Sequence, residues 1–221
     1  NERSAVLEMM VKYELDLPFP ILMALAEDLK AAPAVRLQTL RLLGRKSIEP
    51  AAITRTLRSA AGEGNPSEVR IEAVAQLFQR DVSAAMEVAR QIIDSKSAKI
   101  PEKQAVVAAL RGRTDIASVE LLQELVDRLA SRKLDAGLKL DVFVLARESD
   151  SEAIVAALNK YLAVGPKGGL KMASPELPYE LLTDGGDVVL GKAIVNGHLA
   201  ANCTACHRIE SDEGSEVGPT L

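Results

Sequence analysis

Apolar stretches alternate with short polar breaks from the first residues to about residue 164, and the pattern reads as helix after helix. The breaks fall at Asp16-Leu17-Pro18, Ala32-Pro33, Glu49-Pro50, Gly62-Glu63-Gly64-Asn65-Pro66, Ile100-Pro101 and Ser149-Asp150-Ser151. Each carries Pro, Gly, Asn, Asp or Ser, which stop one helix or cap the next. Helices are predicted over 5–13, 21–29, 48–57, 82–93, 116–129 and 152–162. Further helices are opened by Val35-Arg36-Leu37, Val69-Arg70-Ile71, Lys103-Gln104-Ala105 and Leu138-Lys139-Leu140.

Those four openings recur after 34, 34 and 35 residues, and an apolar residue follows five positions on at Leu40, Val74, Ala108 and Phe143. A period in that range, with two helices in each unit, predicts a stacked helical array. One pair cannot bury its apolar face alone, and stacking supplies the missing contacts. The tetratricopeptide pattern needs Trp, Tyr and Phe that this chain nearly lacks. Val69-Arg70-Ile71-Glu72-Ala73, echoed at Val35-Arg36-Leu37-Gln38-Thr39, resembles HEAT-type repeats. The resemblance implies an all-α fold, a right-handed α-solenoid of HEAT-like helix pairs over 1–164. Arg36 and Arg70 then hold neighbouring repeats together, or they line a groove. Arg111-Gly112-Arg113 reads as a solvated helix end.

Composition narrows the class. The chain has 221 residues, 48% of them hydrophobic, so it can bury a core; aromatics are only 3%, which suits packing through Ala, Leu and Val. A net charge of −4 argues against a general nucleic-acid binder, which would normally be basic. It also disfavours a helical-repeat DNA-repair glycosylase, as does the scarcity of aromatics for stacking a base. No apolar run is long enough to span a membrane. Asn1 is expected to lie inside a longer precursor.

Residues 165–185 hold Pro166, Pro175 and Pro178 beside several Gly and read as a connector. Leu177, Tyr179, Leu181 and Leu182 are candidates to dock it on the last helices. Gly165-Pro166-Lys167-Gly168-Gly169 is a turn rather than a phosphate loop, since it lacks the Walker spacing.

Both cysteines of the chain and one of its two histidines fall in Asn202-Cys203-Thr204-Ala205-Cys206-His207. Cys-x-x-Cys-His is the attachment spacing of c-type haem: two thiols bind one porphyrin and the adjacent imidazole reaches the iron. A redox dithiol, part of a zinc site and an incidental disulfide are the alternatives, although a zinc site wants four ligands. A short amphipathic helix is predicted over 186–195, and Val217-Gly218-Pro219-Thr220-Leu221 follows an acidic loop of Glu210, Asp212, Glu213 and Glu216. That loop is either simply solvated or a guide for a basic redox partner.

This layout over 186–221 resembles the N-terminal part of a class I cytochrome c domain. The resemblance implies covalent haem c on Cys203 and Cys206, His207 as the iron ligand, and a Pro219 carbonyl that orients His207. A distal Met would normally follow and none does, so the domain is expected to be incomplete and the chain a fragment. His198 reads as a surface residue rather than a substitute ligand. Helical repeats followed by such a domain resemble Planctomycetes–Verrucomicrobia-type haem-binding proteins, which look like membrane-associated dehydrogenases. That implies a periplasmic or exported electron-transfer module, serving a redox partner protein or an upstream dehydrogenase domain. The competing expectation is a HEAT-like interaction scaffold whose Cys-x-x-Cys-His is a metal or disulfide element. No catalytic constellation is evident.

Overall fold

The computed structural model describes residues 2–13, 17–164, 172–174, 177–178, 181–182, 188–197, 205–209, 213–214 and 217–218. The fold is mostly helical. Its helices are α1 (Glu2–Lys12), α2 (Phe19–Glu27), α3 (Pro33–Gly44), α4 (Pro50–Ala61), α5 (Ser67–Arg80), α6 (Val82–Asp94), α7 (Ile100–Ala109), α8 (Ile116–Ala130), α9 (Lys139–Arg147), α10 (Glu152–Val164) and α11 (Val188–Gly197). A 3-10 turn, Ala136–Leu138, leads into α9. Two short antiparallel ladders lie after the helical array, β1 (Met172–Ser174) with β2 (Leu177–Pro178), and β3 (Arg208–Ile209) with β4 (Glu213–Gly214).

Prolines set where several helices begin. Pro20, Pro33, Pro50 and Pro101 sit in the first two positions of α2, α3, α4 and α7, where a missing N–H costs nothing. Pro50 also bars the residue before it from the right-handed helical region, and Glu49 takes a left-handed φ of 46°. The helix expected from residue 48 therefore starts at Pro50, and Ile48 is left exposed outside it. At α6 and α8 a carboxylate marks the start instead. Asp81 accepts from the Ala84 N–H at 2.9 Å to cap α6, and Asp115 accepts from the Ser118 N–H at 3.0 Å to cap α8.

The helices pack in two layers. Along the first, α1 meets α3, α3 meets α5, α5 meets α7 and α7 meets α9. Along the second, α2 meets α4, α4 meets α6 and α8 meets α10. Successive pairs join through α2–α3, α4–α5, α6–α7 and α8–α9. Between the layers runs one hydrophobic core that includes Leu22, Leu43, Leu57, Leu77, Leu125 and Phe143, all fully buried. Each such side chain contributes about 1.5–3 kcal/mol relative to exposure.

Arginines tie one pair to the next by answering carbonyls that a helix end leaves without an internal donor. Arg36 Nε donates to the Ala26 carbonyl near the end of α2 (3.2 Å), and Arg70 Nε to the Ala61 carbonyl at the end of α4 (3.0 Å). At the opposite ends of the helices, Arg80 Nη1 donates to the Gly44 carbonyl of α3 and Arg113 Nη1 to the Phe78 carbonyl of α5, both at 2.9 Å. Arg36 and Arg70 are buried and make these ties, and Arg70 also lines a surface cavity beside Arg58 and Glu63. Arg113 corrects the expectation of a solvated helix end. Its guanidinium lies over the Phe78 ring, 5.3 Å from the centroid, and also bonds Asp115 and Ser118. Arg111 does stay exposed and pairs with Glu148 at 3.6 Å.

Ion pairs add a second set of ties. Arg41 meets Glu72, Arg58 meets Glu87, Arg70 meets Glu102, Arg90 meets Glu124 and Lys103 meets Asp135, each cation reaching a carboxylate of a later helix pair. Arg128 runs the other way, to Asp94 at 2.7 Å, while also holding Glu124. Most of these pairs are partly exposed and contribute about 0–1 kcal/mol each. Arg70–Glu102 is buried on both sides.

In the connector, Leu181 is fully buried and belongs to the main core cluster, whereas Leu182 is 46% exposed. Leu177 lies in β2, and Tyr179 falls outside the described residues.

Candidate functional site around Cys206 and His207

The site is built on the segment that follows α11. Ala205 and Cys206 form a tight turn, His207 leaves it, and Arg208 and Ile209 enter β3. The chain then reverses: β4 returns antiparallel, with Arg208 opposite Gly214 and Ile209 opposite Glu213. The reversal brings Gly218 back to the turn, where its N–H donates to the Cys206 carbonyl.

That closure sets the environment of the imidazole. A Cβ built on Gly218 would stand 2.8 Å from both Nδ1 and Cε1 of His207 and 2.7 Å from the Cys206 oxygen. The Gly218 backbone therefore lies against the Nδ1–Cε1 edge of the ring. His207 is half-buried, while the Cys206 thiol is free and exposed. Apolar surface is exposed on either side in the sequence: Ile194 of α11 is 45% exposed and Val217 is 84% exposed. A side chain at Gly191 of α11 would meet nothing within 4 Å.

Of the residues singled out from the sequence, Cys206 and His207 are thus adjacent, with the Gly218 backbone across them. Cys203, Pro219 and His198 lie outside the described residues, as do Glu210, Asp212 and Glu216 of the acidic loop. Glu213 is in β4. Among the described residues no group of three or more His, Cys, Asp or Glu side chains is placed to hold a metal ion. No helix among them is long and apolar enough to cross a membrane.

Gly218 is the residue of this segment that sequence reasoning underrates. It is visible there only as half of a Gly-Pro pair, and its packing on the histidine ring emerges only once the hairpin folds back.

Among the described residues the donors here are one exposed thiol and one half-buried imidazole. An exposed thiol is open to alkylation or oxidation, and imidazole is a common metal ligand. The chain matches no family model, and no curated protein or solved structure is found to be similar to it.

Proposed function

We propose that the chain is the electron-transfer part of a larger exported oxidoreductase, carrying haem c on Cys203 and Cys206. In this reading His207 supplies the proximal iron ligand and Pro219 orients its ring. A c-type haem supplies a one-electron couple at iron when bound. The chain's own contribution is to fix the porphyrin by two thioethers, to hold the imidazole at one rotation and to shape the surface a redox partner meets. Residues 1–164 serve as a HEAT-like, right-handed solenoid that positions residues 186–221, with 165–185 as the connector. The partner is an upstream dehydrogenase domain or a separate redox protein, in the periplasm or another exported compartment.

The observation that carries the reading is the loop closure at the motif: the free thiol, the half-buried imidazole and the Gly218 backbone on its Nδ1 edge. A dithiol or disulfide would not require a backbone segment packed on the histidine. The test is to export the chain in a bacterium that matures c-type cytochromes, then read its mass and its reduced absorption spectrum. One haem per chain, lost in Cys203→Ser and Cys206→Ser, is expected. A colourless product with both sulfurs unmodified refutes the proposal, and zinc quantitation with thiol titration then identifies the metal or disulfide element of an interaction scaffold.

A further inference from the structure

Two joints of the array close in the same way at one end of the first layer. Arg80 Nη1 donates to the Gly44 carbonyl and Arg113 Nη1 to the Phe78 carbonyl. The acceptors, Gly44 and Phe78, are 34 residues apart, and the same step from Phe78 arrives at Gly112. The loop that faces Gly112, between α9 and α10, has a different character. It reads Glu148-Ser149-Asp150-Ser151, and the arginine before it, Arg147, lies over the Phe143 ring of its own helix, 5.9 Å from the centroid.

Between this loop and Gly112 is a cavity of about 380 Å³. Its floor is apolar, made by the buried side chains of Leu110, Leu122 and Leu145. Its rim is acidic: the carboxylates of Glu148 and Asp150 stand against one cation, Arg113, which Asp115 already meets at 3.0 Å. Glu148 also faces Arg111 at 3.6 Å, but both side chains are exposed, so that pair is weak and open to exchange. An apolar floor under a pair of carboxylates asks for a ligand with an apolar stem and a cationic head. The preceding joint shows which one. There the Arg113 guanidinium lies over the Phe78 ring, bonds the Phe78 carbonyl and pairs with a carboxylate.

We infer that this cavity binds an arginine side chain of a partner polypeptide, with its stem on the leucine floor and its guanidinium against Glu148 and Asp150. Such a partner does from outside what Arg80 and Arg113 do within the chain. The planar fork of arginine suits two carboxylates better than the point charge of lysine does. Every residue that lines the cavity lies between positions 110 and 151, in the array. The inference therefore stands or falls apart from the electron-transfer proposal.

The test titrates the full chain at low salt with an acetylated, amidated Ala-Arg-Ala peptide and follows the backbone amides by NMR. Shifts should cluster at Gly112, Thr114, Ser149 and Ser151. The citrulline version of the peptide, similar in shape but uncharged, should bind about tenfold more weakly, and the lysine version should fall between. Glu148→Gln with Asp150→Asn, both at exposed positions, should weaken the arginine peptide about tenfold. Glu68→Gln with Asp127→Asn removes the same charge from exposed positions away from the cavity and should change binding by less than about twofold. The absence of a localised shift at about 10 mM peptide overturns the inference. So does equal affinity for the citrulline peptide, or a rim variant that binds as the unaltered chain does. Agmatine, a guanidine with no peptide backbone, should bind no more tightly than the peptide. If it binds about tenfold more tightly, the cavity serves a free small guanidine and the polypeptide partner is refuted.

Discussion

Replacing Arg70 by Met should be one of the most damaging single changes in the helical array. Arg70 is 6% exposed and Glu102 3% exposed, so the carboxylate has almost no access to water. Arg70→Met fills the space with a flexible apolar chain but removes two things. It strands the Glu102 carboxylate, whose other bond is the Lys99 N–H at 3.1 Å, and it deprives the Ala61 carbonyl of the Arg70 Nε donor. Breaking a buried pair by removing one partner costs about 3–5 kcal/mol, a large part of a typical domain's 5–15. At a urea slope of about 2–3 kcal/mol per molar, the unfolding midpoint should fall by about 1–2.5 M. Circular dichroism at the helical band against urea reads this directly. The double change Arg70→Met with Glu102→Leu should recover part of the loss, because no buried charge is left unpaired. If Arg70→Met lies within about 1 kcal/mol of the unaltered chain, or the double variant is the sum of its singles, the pair is not the buried tie described above.

The other expectations concern the connector, an interpair tie and a cap. Leu181→Ala should cost about 2–5 kcal/mol, whereas Leu182→Ala should stay within about 0.5. Equal melting temperatures for the two would show that the connector is not docked. Arg113→Ala should destabilise by about 1–3 kcal/mol through the lost Phe78 carbonyl bond, measured by urea titration, with Arg111→Ala near neutral as the comparison. Asp115 provides the pH dependence. Burial works against its carboxylate, but the Ser118 N–H and hydroxyl and the Arg113 guanidinium outweigh it and hold its pKa below the ordinary value. Its stabilisation is therefore present above the unfolded pKa of about 3.9 and is lost as pH falls through the lower folded value. Asp115→Asn should lose less stability than the unaltered chain between neutral pH and pH about 3, and parallel curves would contradict this.

Much of the fold is legible in the sequence because apolar runs and helix breakers both repeat with the same period. Starts governed by proline are harder: Ile48 has the apolar character of a helix residue, yet Pro50 decides where α4 begins. The arginine ties are harder still. Arg80 and Arg113 look like ordinary charged residues at helix ends, and their acceptors, Gly44 and Phe78, lie 36 and 35 residues away. Two-residue strands such as Arg208–Ile209 are too short to show alternation, so the hairpin that brings Gly218 to His207 has no signal of its own. The Cys-x-x-Cys-His spacing is local and reads at once. What the spacing lacks is depth: it does not show the backbone of Gly218 that packs on the His207 ring.

The ties at helix ends also bear on how such a chain can change length. Arg36 and Arg70 grip the carbonyls of Ala26 and Ala61 in the same manner, one period apart, so the joint between pairs is nearly a standard fitting. A duplication or excision of the period between these two joints would leave an arginine facing a matching carbonyl at the new junction. A cut of half a period would face unlike ends with each other and strand a guanidinium at the seam.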